Sequence, residues 1–395
     1  MNASSDSETH AAMRHDPVIP SKRPEKIGLV LGSGSARGWA HIGILQALEE
    51  LAIRIDCVAG SSIGALVGAV YASRGIEQLK EVVVHLDRRQ LLSLLDVGLR
   101  HAGLIDGKRV ADELREQIRQ PEIQTLNLPF RAVATDLNTG EEVVLDRGDV
   151  IEAVRASISI PGVFTPVARG DRLLVDGGLT NPVPVSLARA LGADFVIAVD
   201  VNHHLLVERA ARAKDRRTAA GKVPGGSTLA GSAPAGKAQG DKAQRDDALR
   251  DEANGAPAKG DDDKPALPHF LQDLKRLIRD DVIKRNSALA YLNRQMEKIH
   301  LPDLAPLKAA FEREDTPSIL EVIFTSTAIM EARIGDYRLE IDQPDLLIRP
   351  RVGDIRGHEF DRGEEAIAEG YRAGMEALRP LQETWWPLAS DRPRP

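Results

Sequence analysis

Five consecutive residues, Gly60-Ser61-Ser62-Ile63-Gly64, have the G-x-S-x-G pattern that presents a nucleophilic serine. The chemistry needs a strand that ends abruptly and a helix that starts at once, so that the hydroxyl stands clear above the sheet. The apolar run Ile55 to Ala59 supplies the strand, and the segment Ser62 to Arg74 has the pattern of the helix. Gly60 and Gly64 remove the Cβ atoms that would clash in so sharp a turn. The N–H groups at the helix start add partial positive charge near a developing oxyanion. The same residues also fit a plain strand-to-helix turn, with Gly64, Ala65, Gly68 and Ala69 serving only close packing. The neighbouring motifs have to decide.

Upstream, Leu31-Gly32-Ser33-Gly34-Ser35-Ala36-Arg37-Gly38 follows an apolar run and opens a helix. Successive main-chain N–H groups in such a loop hold an anion. For an acyl hydrolase that anion is the tetrahedral oxyanion, and for a dinucleotide enzyme it is a pyrophosphate. A G-x-G-x-x-G fingerprint beginning at Gly32 needs glycine where Arg37 stands, and the continuation Arg37-Gly38-Trp39 lacks a P-loop lysine. The oxyanion reading is therefore preferred. Arg37 is left with two roles, binding a substrate phosphate or anchoring the loop.

Downstream, Leu174-Val175-Asp176-Gly177-Gly178 ends a strand on an acid. Ligands bind at the carboxyl ends of strands in open α/β sheets, which places Asp176 well for chemistry. Asp-Gly-Gly is also an ordinary turn signal.

Taken in order, the three motifs resemble the patatin-like phospholipase family, which pairs a glycine-rich oxyanion loop, a G-x-S-x-G serine and a later Asp-Gly-Gly or Asp-Gly-Ala aspartate. Further similarity runs through Arg37-Gly38-Trp39-Ala40-His41-Ile42-Gly43, Ser157 to Pro161, Asn181-Pro182-Val183-Pro184 and Asp345-Leu346-Leu347-Ile348-Arg349-Pro350. It covers nearly all of the chain from Lys26 onward except an insert. The resemblance implies a three-layer α/β/α fold with a mainly parallel central sheet. It implies Ser62 as nucleophile, Asp176 as proton acceptor within the motif completed by Gly177 and Gly178, and an oxyanion hole drawn from Gly32, Ser33, Gly34, Ser35, Arg37 and Gly38. Lipid acyl esters are the implied substrates, with no metal or organic cofactor. An acyltransferase or thioesterase on the same pair is the alternative, as is a catalytically weak regulatory protein of the same fold. The chain departs from the family's pattern at Ser33 and Ser35, where glycine is usual. Both serines are expected to take ordinary dihedrals, because the donors are main-chain N–H groups that serine also has.

A Ser-His-Asp triad in α/β-hydrolase order would want a histidine after the acid. His358, in Gly357-His358-Glu359-Phe360, stands in that order but reads as a surface or capping residue; His41 reads as structural, and His203 and His204 precede the insert.

Short β-branched runs alternate with helical patterns between Lys26 and Asn202. Strands are expected at Ile27 to Leu31, Ile55 to Ala59, Phe130 to Asp136, Leu173 to Asp176 and Phe195 to Asp200. Helices are expected at Ala36 to Leu51, Ser62 to Arg74, Gly107 to Arg119 and Val150 to Ile158. That rhythm signals an α/β fold with helices on both faces of a parallel sheet. Unalternating runs such as Ile27-Gly28-Leu29-Val30-Leu31 suit central strands covered on both sides. Later, a helix is expected near Leu267 to Lys298, another near Ser318 to Arg333, a strand at Asp345 to Arg351 and a last helix at Glu364 to Leu381. From Glu208 to Lys264 large apolar residues almost vanish, and such a segment cannot offset the entropy of ordering. The chain thus divides into a disordered tail over residues 1–25, a catalytic core over 26–205, an insert over 206–266, completing elements over 267–382 and a tail over 383–395.

The net charge of −7 gives no electrostatic reason to expect nucleic acid. One cysteine, Cys57, forms no internal disulfide and sits in an apolar run that implies burial. No stretch approaches the roughly 20 apolar residues of a bilayer span, and Met1 to Pro24 holds no signal-peptide core, so a cytoplasmic protein is expected. Peripheral membrane contact is the weaker expectation, resting on Trp385-Trp386. The oligomeric state is left open.

Overall fold

A computed structural model of the chain describes residues 19–86, 103–208 and 319–385. Most of the expected insert, the helix Leu267 to Lys298, most of the N-terminal tail and residues 386–395 lie outside the described residues. In chain order the strands are β1 Ile27–Leu31, β2 Cys57–Ser61, β3 Gly103–Ile105, β4 Phe130–Asp136, β5 Glu142–Leu145, β6 Gly162–Phe164, β7 Val167–Arg169, β8 Arg172–Asp176, β9 Phe195–Val199 and β10 Leu346–Ile348. The helices, also in chain order, are α1 Ala40–Glu50, α2 Ile63–Arg74, α3 Glu77–Val84, α4 Lys108–Gln117, α5 Val150–Ser157, α6 Val185–Ala190, α7 Ile319–Asp342 and α8 Gly363–Trp385.

The eight-stranded sheet runs β10-β9-β1-β2-β4-β8-β7, with β5 paired on β4. From β10 to β4 all pairings are parallel, while β5 and β8 run antiparallel to β4 and β7 antiparallel to β8. The run of apolar residues in β1 is explained by two buried faces. Leu29 and Leu31 join the larger core with α1, α2, α5 and α8, whereas Val30 joins a second core with Cys57, Ala59, Val185 and Leu187. Phe195, Ile197 and Val199 of β9 face the first core and Val196 and Ala198 the second. The molecule is therefore an α/β/α sandwich with α6 and Leu339 of α7 covering the second face. Cys57 is buried, as its apolar surroundings imply. On the first face α1 and α8 touch backbone to backbone, because a Cβ on Gly43 would strike Ile367 O and one on Gly370 would strike Ala40 O.

Several expected boundaries move. The segment from Ala36 to Leu51 is a 3-10 turn over Ser35–Trp39 followed by α1, and the helix after the elbow starts at Ile63 with Ser62 as its N-cap. Helix α8 runs on to Trp385, past the boundary expected at 382. Trp385 is buried, stacks edge-on against Phe195 with ring centroids 5.5 Å apart, and donates from Nε1 to Pro20 O at 3.1 Å. That overturns its expected place at a lipid interface, since an indole so enclosed is packing material.

Candidate active site

Ser62 sits where β2 turns into α2, with φ 54° and ψ −124°. A side chain in this region costs of order 1–3 kcal/mol, and the surroundings must hold it there. Two approaches do so. A Cβ on Gly60 would lie 2.5 Å from Gly64 O, and one on Gly64 would collide with Leu31 O, so β1, β2 and the first turn of α2 close on one another. The Ser62 N–H donates to Ser157 Oγ at 2.9 Å. Ser157 ends α5, a helix started by Asp149, whose Oδ1 accepts from the Glu152 N–H at 2.8 Å.

Asp176 reaches the serine by an unexpected direction. Strand β8 runs antiparallel to β4 and enters from beyond its carboxyl end, yet it stops at Asp176, level with the edge where β2 ends. The acid meets Ser62 because β8 stops at that level. Ser61 pairs in register with Val133, and Asp176 with Ala134. Ser62 Oγ donates to Asp176 Oδ2 at 2.6 Å. Oδ1 accepts from the Gly178 N–H at 2.8 Å, the Asp176 N–H donates to Ser159 O at 2.9 Å, and Thr135 Oγ1 donates to Asp176 O at 2.8 Å. Asp176 is fully buried. Burial, first, and the neighbouring carboxyl of Glu331, second, hold it well above the usual carboxylate range, against the hydrogen bonds from Ser62 and Gly178.

The glycine loop divides sharply. The Gly32 N–H is taken by Val199 O at 3.0 Å and the Ser33 N–H by Pro182 O at 2.8 Å. The Arg37 N–H closes onto Gly34 O at 3.2 Å, and Gly38 lies within the 3-10 turn. Gly32, Ser33, Arg37 and Gly38 thus shape the loop, and their N–H groups are not open to an oxyanion. Those of Gly34 and Ser35 have no acceptor among the described residues. Ser33 keeps ordinary dihedrals, but Ser35 has φ 51°, against expectation. A small side chain tolerates that left-handed turn, which directs consecutive N–H groups to one side.

Arg37 is the anchor and not a phosphate ligand. Its side chain is buried, with Nε and Nη2 donating to Asn202 Oδ1 at 3.1 and 2.9 Å and Nη1 to Ile355 O at 3.1 Å. His41 is likewise buried and bonded through Nε2 to Gly32 O at 2.8 Å. Burial lowers its pKa to about 4, so the ring is neutral and Nε2–H donates. His358 is exposed and rests beside Phe324, and no hydrogen bond joins it to Ser62 or Asp176 among the described residues. Sequence reasoning missed Glu331, Asn202, Ser157 and Ser159 as site residues. For the two serines the only signal was the similarity over Ser157 to Pro161.

Among the described residues, Asp200, His203 and Asp336 offer ligand atoms within 4.8 Å of one another. Arg349 occupies the carboxylates there, with Nε 3.4 Å from Asp200 Oδ2 and a second nitrogen 4.0 Å from Asp336 Oδ1. A guanidinium already supplies the positive charge that this acidic pair calls for.

The site thus holds a buried serine bonded to a buried aspartate, on an elbow in an α/β/α sandwich. Residues 29–189 match the family described as Patatin-like phospholipase. The matched span holds the loop, Ser62 and Asp176. An uncharacterised NTE family protein of Mycobacterium tuberculosis is 42% identical over 177 residues, 45% of this chain and 49% of that protein. The human patatin-like phospholipase domain-containing protein 6 is 36% identical over 182 residues, 44% of this chain and 13% of its own length. The match thus spans about half the length of the mycobacterial relative and much less of the human one. VipD from Legionella pneumophila aligns with 53% of this chain and 58% of its own at 14% identity and a TM-score of 0.29, too loosely to bear on the fold. No helix among the described residues is long and apolar enough to cross a membrane.

Proposed function

We propose that this chain hydrolyses the carboxylic ester bonds of lipids, in the manner of a phospholipase A or lysophospholipase, with Ser62 as nucleophile and Asp176 as its base. The observation that carries this reading is the 2.6 Å bond from Ser62 Oγ to a buried carboxylate held above its usual range. A carboxylate of ordinary acidity is a poor base for a hydroxyl, and burial narrows that gap.

In the first half-reaction the Ser62 proton passes to Asp176 Oδ2 as Oγ bonds to the ester carbonyl carbon. The Gly34 and Ser35 N–H groups receive the oxyanion. The tetrahedral adduct then collapses, the ester C–O bond breaks, and Asp176 returns its proton to the departing alkoxide, leaving an acyl-serine. In the second half-reaction water attacks the acyl carbon while Asp176 takes its proton, and fatty acid leaves as Ser62 is reprotonated. A lipid acyl ester fits a domain whose helix α7 turns Met330, Tyr337 and Ile341 outward, apolar side chains suited to peripheral contact with a lipid surface.

Mass spectrometry of products from a diacyl phospholipid, a lysophospholipid and an acyl-thioester tests the reading. Free fatty acid from the oxygen esters is expected. Transfer of the acyl group to another lipid, or release from the thioester alone, contradicts it.

A further inference from the structure

Helix α7 brings into the site a carboxyl group that no motif announces. Glu331 is buried, and its Oε2 accepts from Ser33 Oγ at 2.9 Å and from Asn202 Nδ2 at 3.1 Å. Asn202 Nδ2 also lies 3.0 Å from Ser33 O, while Asn202 Oδ1 takes the two Arg37 bonds. The other oxygen, Oε1, occupies the space beside Gly178, 2.6 Å from where a Cβ on that glycine would stand. One carboxyl group therefore touches the oxyanion loop and the acid motif together. Cohesion alone does not call for it, because an apolar side chain of similar size would fill the volume without the cost of burying charge.

We propose that Glu331 is a positioning residue for the hydrolysis described above, clamping Ser33 so that the adjoining Gly34 and Ser35 N–H groups face the oxyanion, and favouring proton transfer to Asp176 by its negative charge. The inference rests on the hydrolase reading. The charged and titratable groups that face this carboxyl among the described residues are Asp176 from β8 and Arg37 from the 3-10 turn. Burial pushes the Glu331 carboxyl above its usual range, and the bonds from Ser33 and Asn202 and the charge of Arg37 work against that and favour its ionised form. Asp176 feels it as a like charge that makes the proton harder to lose.

The test compares the full-length wild type with Glu331→Gln and Glu331→Ala, using p-nitrophenyl butyrate across pH and deuterium uptake of the peptide covering residues 32–38. Gln can still accept from Ser33 but carries no charge. The sign is set by the base, which works deprotonated: removing the neighbouring charge makes Asp176 more acidic, so the acid limb of kcat/KM moves to lower pH, by about half to one unit. Glu331→Ala frees the loop, with kcat falling about 100-fold, KM moving less than threefold and loop uptake rising severalfold. An acid limb that stays in place for Glu331→Gln, or a Glu331→Ala protein with kcat and loop uptake within twofold of wild type, overturns the inference. Should Glu331→Ala fail to fold, the Gln variant decides. If the wild type releases no nitrophenol, the hydrolase reading fails, and loop uptake judges the clamp alone: a rise upholds it and no rise sinks it.

Discussion

Ser62 and Asp176 end 2.6 Å apart, yet Ser62 is placed mainly by consecutive residues between β2 and α2, while Asp176 takes most of its partners from other segments. On the serine side the determinants are mostly main-chain: a strained turn, two glycines closed on β1 and the start of a helix, with the Ser157 hydroxyl from α5 holding the Ser62 N–H. On the acid side Thr135, Ser159 and Glu331 come from β4, the end of α5 and α7. Local placement by backbone contact leaves nothing able to yield, whereas placement by side chains can relax. The two halves of the site should therefore fail differently when disturbed.

The largest effect is expected from removing either partner. Ser62→Ala and Asp176→Asn should each lower kcat/KM for an ester by about 10³-fold or more while melting within a few degrees of wild type. Wild-type-like rates in a folded Ser62→Ala protein would show that another group carries the reaction.

Next come the paired glycine substitutions that probe the two halves. Gly64→Ala sets a methyl against the Leu31 carbonyl, and neither backbone can move without parting β1 from α2. A loss of about 3 kcal/mol or more, or no soluble fold, is expected by chemical denaturation. Gly178→Ala sets its methyl against the Glu331 side chain from Oε1 back to Cγ, and not against a neighbouring carbonyl as at Gly64. That variant should fold and melt close to wild type, with kcat reduced about tenfold as the carboxyl is displaced. Equal damage from both would erase the distinction.

His41 gives a smaller effect that depends on pH. Its folded pKa of about 4 lies below the ordinary value of 6.5, so between those values the unfolded chain binds the extra proton. Stability is then fully present above pH 6.5 and lost as pH falls toward 4, by about 2 kcal/mol at pH 5 from this group. Denaturant titrations at pH 7 and 5 should show His41→Gln losing less over that interval than wild type. The same pH loss in both would mean that the ring is not held neutral. Smallest is Ser35→Gly, which relieves a left-handed serine and should shift stability by no more than about 1 kcal/mol.

The same division explains what the sequence makes legible. Strands β1, β2 and β9 stand out because burial on both faces demands unbroken apolar runs, and the elbow stands out because its geometry needs Gly60 and Gly64 at fixed offsets. The antiparallel strands β5 and β7 are short and partly exposed, so both escape, as does the short parallel pair of β3 and β6; the Gly170-Asp171 pair that joins β7 to β8 is a hairpin signal that could have found β7. Asp176 lies at the edge where the parallel strand β2 ends, as its sequence context implies, but it arrives on an antiparallel strand, which the sequence does not show. Glu331 leaves no local mark at all, since its meaning arises only when α7 packs over residues far away in the chain. For Arg37 the sequence offers a phosphate ligand or a loop anchor and cannot choose, because its acceptors Asn202 and Ile355 are set by tertiary packing.

The central claim is that an aspartate, and no histidine, takes the proton from Ser62. Labelling with a fluorophosphonate, followed by mapping of the modified peptide and scaled to folded protein, tests it most directly on the wild type, Asp176→Asn and His358→Gln. Labelling at Ser62 in the wild type and in His358→Gln at rates within twofold, with a loss of about 10³-fold in Asp176→Asn, is the predicted result. A folded His358→Gln protein that labels as poorly as Asp176→Asn would contradict the account.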